Sequence, residues 1–337
     1  MALPWRDAMS KALYGPDGFF VSGPGPAAHF RTSVHASPLI ASCLSRLLSS
    51  VDAALGHPAR LDVVDIGAGR GELLRSLSVA VGAPLAERVR LIAVEKAPRP
   101  VDLPAEIEWV DEIPEGVTGL LVATEWLDNV PLDVAAYTPA GWRYRLVDPA
   151  TGAESTGDPA NAEDADWLDR WWWSRSGRPE SPTGTRAEIG RTRDEAWAAA
   201  VGHLDRGLAL AVDYGHLRDD RPVAGSLTGY RNGRQVAPVP DGSCDVTAHV
   251  AMDSVASAGE RVARCAYTLV SQREGLRALG ADGGRPPLSL ASRDPAGYVR
   301  ALAAASAVAE LTDPAGLGGH WWLLQPVDIA LDPLMAR

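Results

Sequence analysis

A glycine-rich segment with an acidic residue at each end is the part of this sequence best suited to bind a ligand. It reads Asp65-Ile66-Gly67-Ala68-Gly69-Arg70-Gly71-Glu72 and lies between a short apolar run and a helix-like stretch. Glycine tolerates unusual backbone angles and lets the main chain approach a ligand closely, because no Cβ stands in the way. The dinucleotide-binding pattern G-x-G-x-x-G would require glycine at position 72, which is glutamate. The segment therefore predicts a ligand-binding turn of a different kind.

The spacing in this turn, G-x-G-x-G, is typical of proteins that bind S-adenosyl-L-methionine (SAM). The carboxylate of Asp65 suits the ammonium group of the methionyl part of SAM better than it suits a pyrophosphate. Glu95 ends the next strand-like run, where a carboxylate can accept hydrogen bonds from both ribose hydroxyls. Asp111 follows an apolar pair and is placed to meet the adenine amino group, with a solvated loop acid as the alternative. Asp65, the three glycines, Glu95 and Asp111 together predict a SAM site.

Short apolar runs alternate with amphipathic stretches along much of the chain, which is typical of an α/β fold. Strands are predicted at residues 61–66, 89–95, 120–123, 207–215 and 321–327, and residues 133–147 alternate like a hairpin. Helices are predicted at residues 37–55, 72–81, 186–206 and over most of 246–312. Strands that alternate with helices predict a parallel sheet covered on both faces.

A change of composition predicts an insertion in this α/β core. Residues 148–166 are acidic and rich in small side chains, and a Ser/Gly/Pro/Thr-rich linker covers residues 174–185. Between them lies Trp171-Trp172-Trp173, a cluster that fits either a small core or a surface facing a partner. The chain is therefore divided into an N-terminal helical and loop extension (1–58), a core (59–134 and 207–337) and an inserted substrate or partner subdomain (135–206).

Composition and charge exclude several classes of protein. No window approaches the roughly 20 apolar residues of a membrane span, and the N-terminus lacks the pattern of a signal peptide. Three scattered cysteines argue against a disulfide framework, so we expect a cytoplasmic protein. The net charge of −11 argues against nonspecific binding of nucleic acid. The spacing of the histidines and cysteines predicts no metal site, and a homodimer stays open.

Several segments resemble, in the same order, the motifs of the MidA-like SAM-dependent methyltransferases. They are residues 14–20 (YGPDGFF), 30–33 (FRTS), 65–71 (DIGAGRG), 125–131 (EWLDNVP), 212–215 (VDYG), 225–231 (GSLTGYR), 245–250 (DVTAHV) and 311–318 (LTDPAGLG). The resemblance implies a Rossmann-like class I methyltransferase fold, with a mostly parallel seven-stranded sheet and SAM as cofactor. The mitochondrial member of that family methylates an arginine of a respiratory complex I subunit, so the resemblance implies a protein arginine as methyl acceptor.

The sequence departs from the family pattern mainly on the side expected to hold the acceptor. Thr124 stands where the family has asparagine, Trp321-Trp322 replaces a Phe-Lys pair, and residues 135–205 match poorly. Two other functions therefore stay open. One is a methyltransferase for a small molecule, and the other is an assembly or binding protein that keeps the fold without turnover.

Glu125 and Asp128 are the predicted catalytic residues. Both follow a predicted strand, which is where an open α/β sheet places its site. A carboxylate can grip a guanidinium bidentately and offset its charge beside the sulfonium of SAM. We expect Glu125 to orient the acceptor and Asp128 to support the loop, although Asp128 also fits a turn or helix cap.

Five further residues are assigned to the site from the matching segments. Asp213 and Tyr214 follow another strand and are expected to line the acceptor pocket, although strand-end acids also cap turns. His249 is expected near the same pocket, with a structural histidine as the alternative. Thr32 and Ser33 are expected to close over the cofactor, with a local turn as the alternative.

Overall fold

The structure is a computed structural model that describes residues 1–22, 39–172, 183–281 and 283–331. Its strands are β1 (Leu3–Pro4), β2 (Leu61–Ile66), β3 (Val89–Val94), β4 (Ile107–Val110), β5 (Val117–Thr124), β6 (Asp133–Thr138), β7 (Gly141–Val147), β8 (Glu154–Pro159), β9 (Arg186–Ile189), β10 (Leu204–Asp213), β11 (Gly215–His216), β12 (Thr228–Arg231), β13 (Arg234–Val236), β14 (Asp245–Thr247), β15 (Val250–Ala251), β16 (Thr268–Ser271) and β17 (Trp321–Val327).

The helices lie between these strands and at the N-terminus. They are α1 (Trp5–Tyr14), α2 (Phe19–Ser22), α3 (Leu39–Ala54), α4 (Glu72–Ala80), α5 (Ala162–Trp167), α6 (Arg191–Gly202), α7 (Met252–Ala263), α8 (Gln272–Ala278), α9 (Leu288–Arg293) and α10 (Pro295–Leu311). Short 3₁₀ turns cover Leu85–Glu87, Leu127–Asn129, Arg218–Asp220 and Leu317–Gly319, and a π-helical turn covers Leu168–Trp172.

The main sheet has the strand order β16-β17-β10-β5-β2-β3-β4. Strands β2, β3, β4, β5 and β10 run parallel, whereas β17 is antiparallel to both of its neighbours, so the sheet is mixed. All six residues of β2 are buried. Four of them, Leu61, Val63, Val64 and Ile66, are apolar, as expected for a strand covered on both faces. The predicted α/β class is confirmed.

Helices cover both faces of this sheet. Val63 of β2 packs in a cluster with α3, α4, α8 and α10. Its neighbour Val64 packs on the opposite face, in a cluster with α6 and α7 that includes Trp197. Successive side chains of a strand point to opposite faces, and one short strand therefore joins both halves of the core.

A second sheet lies beside the main one and has the order β1-β7-β6-β9, with β8 paired to β7. It contains the predicted hairpin, formed by β6 and β7. The predicted insertion, 135–206, is not structurally uniform. Strands β6 to β9 belong to this second sheet, but α6 packs on the main sheet through Trp197 and Val201, and β1 comes from the predicted N-terminal extension.

Two expected elements differ from the structure. Residues 186–206 were expected to be helical, but they form β9, then α6, then the start of β10. The acidic stretch 148–166 contains strand β8, which the composition did not indicate. The carboxylate of Glu154 in β8 is held by Arg186 of β9 at 2.5 and 2.6 Å and by Trp5 Nε1 at 2.6 Å. These partners are distant in sequence, so no local pattern reveals them.

The structure also bears on membrane-spanning helices and on the state of the cysteines. In the described residues, no helix is both long and apolar enough to cross a membrane. Cys43, Cys244 and Cys265 are free thiols.

Candidate active site

A cavity of about 1650 Å³ lies at the carboxyl ends of the parallel strands of the main sheet. The strand order of the sheet gives the spatial order of the residues at the strand ends that line this cavity. From β4 to β17 they are Asp111, Glu95, Gly67, Glu125, Tyr214 and His320, and all of them line the cavity. The glycine turn is therefore central, with Glu95 and Asp111 on one side of it and Glu125 and Tyr214 on the other.

The predicted glycine turn lies between β2 and α4 and has the backbone that only glycine adopts easily. Gly67, Gly69 and Gly71 have φ values of +70°, +59° and +81°. A Cβ on Gly71 would lie 2.6 Å from Leu103 Cδ1, so the Leu103 side chain would have to move to admit one. Gly71 is also the N-cap of α4. The turn thus presents the N-terminus of a helix, which attracts negative groups, to the cavity.

Glu95 fixes this turn from the neighbouring strand. Its Oε2 accepts a hydrogen bond from Gly69 N at 2.9 Å, and its Oε1 accepts from Lys96 N and Ala97 N at 2.7 and 3.0 Å. Burial raises the pKa of Glu95, and these three N–H donors partly oppose the rise. A carboxylate with this many fixed donors holds one orientation towards the cavity.

Asp65 is buried beneath the turn and lines the cavity. Burial raises its pKa well above the usual range, and the nearby carboxylates of Glu72 and Glu95 raise it further. A cationic group placed against Asp65 would relieve this unfavourable arrangement. The methionyl ammonium of SAM is such a group, so the residues present fit this cofactor.

The other residues predicted to bind the cofactor are placed as follows. Asp111 is exposed at the rim of the cavity, and its backbone carbonyl accepts a hydrogen bond from Lys96 Nζ at 2.8 Å. Thr32 and Ser33 lie outside the described residues.

Asp128 is the centre of a buried hydrogen-bond network on the other side of the turn. Its Oδ2 accepts hydrogen bonds from the hydroxyls of Tyr214 and of Thr247, the latter at 2.7 Å. Its Oδ1 is buried and has no hydrogen-bond partner among the described residues. Burial raises the pKa of Asp128, whereas the hydrogen bonds and the guanidinium of Arg193 lower it. A buried carboxylate oxygen without a partner is uncommon in folded proteins and marks Asp128 as a functional candidate.

Arg193 of α6 supports this network from below. Its guanidinium is 1% exposed and donates hydrogen bonds to the backbone carbonyls of Asp128, Val130, Ala248 and His249. It therefore ties the segment after β5 to the segment between β14 and β15. Arg193 was not among the predicted site residues, because a single arginine in a helical stretch carries no sequence signal for such a role.

Glu125 lines the cavity directly after β5. Its backbone has φ +50°, and its N–H donates to Val212 O at 2.8 Å. A left-handed conformation is uncommon for glutamate and persists where the surroundings enforce it, often at functional sites. The structure thus brings Glu125, Asp128 and Tyr214 together on one side of the glycine turn.

Asp213 has a different position from the one expected. Its Oδ2 accepts hydrogen bonds from Leu127 N at 3.0 Å and Asp128 N at 3.2 Å, and its Oδ1 accepts from Tyr214 N at 2.9 Å. Among the described residues that line the cavity, Tyr214 is present and Asp213 is not. Asp213 therefore caps the turn that carries Asp128.

Two acceptor-side residues were quoted in motifs but not assigned to the site. Asp245 is buried and lines the cavity, and its Oδ1 accepts a hydrogen bond from Asn129 Nδ2 at 2.7 Å. Tyr14 also lines the cavity, and its hydroxyl donates to Asn129 O at 3.3 Å. Burial raises the pKa of Asp245 well above its usual range, and Asp128 and Glu125 raise it further. Their positions in the matching motifs were the available signal.

Comparison with known proteins agrees with this geometry. A family model described as "Putative S-adenosyl-L-methionine-dependent methyltransferase" matches residues 43–269. The chain is 26% identical over 338 residues to the mitochondrial protein arginine methyltransferase NDUFAF7 of Danio rerio, covering 85% of this chain and 75% of that protein.

Two solved structures from Burkholderia thailandensis are similar over nearly the whole chain. A COG1565 superfamily member bound to S-adenosyl-homocysteine has a TM-score of 0.80 at 26% identity and covers 99% of this chain and 91% of that one. A native COG1565 superfamily structure has a TM-score of 0.77 at 26% identity, with coverage of 99% and 90%. These findings confirm the predicted SAM cofactor and the predicted resemblance. The chain belongs to the MidA-like family of SAM-dependent methyltransferases.

Proposed function

We propose that this methyltransferase acts on the guanidinium of an arginine in a protein. The observation that carries the proposal is the set of carboxylates on the acceptor side of the cavity, Glu125, Asp128 and Asp245. Asp128 and Asp245 are buried, and each raises the pKa of groups around it. A cationic acceptor would relieve this repulsion, and a guanidinium offers N–H donors in the planar arrangement that carboxylates bind best.

The carboxylate of Asp245 lines the cavity and pairs with Asn129 Nδ2 through Oδ1, and a carboxylate has acceptor sites for further N–H donors. The protein from Danio rerio, at 26% identity, is called a protein arginine methyltransferase, which supports the same acceptor class.

We place the cofactor on the side of the sheet formed by β4, β3 and β2, in the manner of a Rossmann-like class I methyltransferase. The ribose hydroxyls lie against Glu95, the adenine towards Asp111 and the methionyl ammonium against Asp65. Thr32 and Ser33 remain assigned to the cofactor by the resemblance alone. Tyr214 follows β10, two strands from the glycine turn, and neighbouring strands are ~4.8 Å apart, so the acceptor pocket is ~10 Å away from that turn.

Catalysis in this arrangement is mainly positioning. Bound SAM supplies an electrophilic methyl group on a sulfonium. Glu125 orients one nitrogen of the acceptor towards that methyl group, and a fixed near-attack geometry lowers the barrier. Asp128 is held by Tyr214, Thr247 and the backbone cap from Asp213, so its charge is fixed towards the acceptor.

The second sheet, with α1, is proposed to contact the acceptor protein. Helix α1 packs against this sheet and also supplies Tyr14 to the cavity wall, so the sheet lies next to the acceptor side. In this proposal the second sheet takes the role assigned to the insertion.

The test is incubation of cell extract with isotope-labelled SAM, with and without the enzyme, followed by separation of proteins from small molecules. Label in a protein, located on an arginine side chain by mass spectrometry, supports the proposal. Label confined to small molecules would replace it with the small-molecule alternative. Label in neither fraction, with SAM binding confirmed by a thermal shift, would favour an assembly protein without turnover.

A further inference from the structure

His249 lies between two cavities. It lines the active-site cavity, and it also lines a second cavity of about 570 Å³. The two cavities share Gly215, Tyr230 and His249, and the polar side chains of Ser226 and Gln235 line the second one. The ring of His249 is therefore accessible from the acceptor pocket and from a separate opening.

The position of this ring is fixed by its backbone and by Tyr214. His249 N donates a hydrogen bond to Ser226 Oγ at 2.9 Å. The neighbouring Val250 N donates to Tyr214 O at 3.0 Å. The imidazole packs edge to face against the Tyr214 ring, with centroids 5.3 Å apart. Because Tyr214 also donates to Asp128, His249 is adjacent to the network that we assign to the acceptor.

The surroundings of His249 favour its neutral form. Burial lowers its pKa, Arg193 lowers it further, and Asp128 opposes this shift. The other titratable groups that face it are Tyr214, which carries no charge because its pKa is raised well above the usual range, and His216 and His320. A neutral imidazole has one ring nitrogen with a free lone pair.

The two neighbouring histidines are less suited to take a proton. His216 Nδ1 lies 2.7 Å from an Arg221 Nη1 donor, so its lone pair is already used and Nε2 carries the hydrogen. His216 also does not line the active-site cavity among the described residues. His320 is buried enough to lower its pKa to about 4. Of the three histidines, His249 is the one that lines both the active-site cavity and the second cavity.

Methylation of a guanidinium requires a proton acceptor, because it releases a proton. The new N–CH₃ bond forms as the S–CH₃ bond breaks, and the sulfur keeps the electron pair of the broken bond. The guanidinium enters and leaves with one positive charge, while the sulfonium becomes a neutral thioether. One N–H proton of the acceptor must therefore leave.

We propose that His249 is the proton acceptor of the transfer, taking this proton from the acceptor nitrogen and releasing it through the second cavity. This inference rests on the proposed function. Glu125 and Asp128 then remain ionised and keep their hold on the cation throughout the reaction, while the proton leaves on the side away from the cofactor.

The experiment compares pH–rate profiles of kcat/KM for the full chain, with the unmethylated form of the acceptor protein found by the labelling test as substrate. His249→Phe keeps a ring against Tyr214 and removes the base, and His249→Gln keeps a polar group. We expect both to lower kcat by about 10²–10⁴-fold, the range for loss of a general base. We also expect both to lose the acidic limb of the profile and to keep SAM affinity within about twofold of wild type.

Two controls separate a catalytic role from a structural one. Imidazole added to His249→Ala restores turnover if the ring acts as a base, whereas pyrrole, a ring of the same size without a basic nitrogen, does not. His57→Gln removes a histidine that pairs with Asp52 outside the cavity and leaves the profile unchanged. Wild-type activity in His249→Phe would overturn the inference alone, whereas absence of protein labelling by the wild type would overturn the proposed function as well.

Discussion

The carboxylate of Glu95 accepts a hydrogen bond of 2.9 Å from the backbone N–H of Gly69, so the acid that follows β3 also fixes the turn that follows β2. The glycine turn and the acid after β3, the two parts of the predicted SAM site, are thus joined by a direct hydrogen bond. One side chain holds the shape of the glycine turn and, in our assignment, also binds the ribose.

Replacement of Glu95 by glutamine is therefore expected to weaken SAM binding by at least about tenfold. The amide has one acceptor oxygen in place of two, so either the ribose hydroxyls or one of the three backbone N–H groups would lose its acceptor. Isothermal calorimetry with SAM measures the effect. The matched control is Glu108→Gln, which removes an exposed carboxylate on β4 that pairs with Arg90. Equal affinity in Glu95→Gln and wild type would contradict the assignment.

Gly71→Ala is expected to lower both stability and SAM affinity. The residue has φ +81°, and the new Cβ would lie 2.6 Å from Leu103 Cδ1. Backbone strain of this kind costs about 1–3 kcal/mol. Urea denaturation gives the loss of stability, and calorimetry gives the affinity. Gly82→Ala is the control, since nothing lies within 4 Å of a Cβ at that position. A Gly71→Ala protein as stable as Gly82→Ala would show that the turn relaxes without cost.

Glu125→Gln is expected to keep SAM binding nearly intact and to reduce turnover by at least about 10²-fold. The amide has the same shape as the carboxylate but cannot offset the charge of a guanidinium in the transition state. Calorimetry with SAM and the labelling assay separate the two effects. Glu106→Gln, an exposed acid before β4, is the control. Unaltered turnover in Glu125→Gln would remove this residue from the proposed role.

The local part of the site could be predicted from sequence because it is a single continuous segment. The strand β2, the glycine turn and α4 follow one another along the chain, and each has its own pattern of side chains. Strand order depends on pairing between distant segments. The sequence therefore could not predict that Tyr214 lies two strands from the glycine turn, and the structure was needed to show it. Asp245 joins the cavity for the same reason, from a strand of the separate sheet β13-β12-β14.

Asp213 and Tyr214 show that a position at the end of a strand does not by itself predict which side chain lines the cavity. Both residues follow the same apolar run, but Tyr214 lines the cavity, whereas Asp213 caps the turn at Leu127–Asn129. Side chains alternate in direction along a strand, and the sequence does not show which of two neighbours faces the site.

Asp194 is expected to make stability depend on pH. Its Oδ2 accepts a hydrogen bond from Trp167 Nε1 at 2.8 Å, and burial raises its pKa to about 6. This folded-state pKa is above the ordinary value, so the stabilising contribution is complete below pH ~4 and is lost as pH rises through about 6.

Asp194→Asn removes that titration and keeps an oxygen that can accept from Trp167. Between pH 5 and pH 7.5, wild type is expected to lose about 1.4 kcal/mol of unfolding free energy relative to Asp194→Asn. Urea denaturation of both proteins at the two pH values gives the change in unfolding free energy with pH for each. Subtracting one change from the other cancels the contributions of the other titrating groups. A difference that does not change with pH would show that Asp194 stays ionised in the fold.

Arg193→Lys is expected to destabilise the protein by about 3–5 kcal/mol and to impair the acceptor side of the site. The guanidinium donates to the carbonyls of Asp128, Val130, Ala248 and His249, and the ammonium of lysine cannot reach four separate acceptors. The carbonyls left without a donor would be buried, which is the costly outcome.

Arg191→Lys, on the same helix, is the matched control for this change. Arg191 is 25% exposed and pairs with two carboxylates, Asp164 and Glu195, so a lysine there keeps the charge pairing and should cost less than Arg193→Lys. Chemical denaturation compares the two variants, and the labelling assay compares their turnover. Because Arg193 holds the backbone of both Asp128 and His249, we expect kcat in Arg193→Lys to fall more than SAM affinity does. A variant that loses SAM affinity and kcat equally would show that Arg193 supports the whole fold rather than the acceptor side of the site.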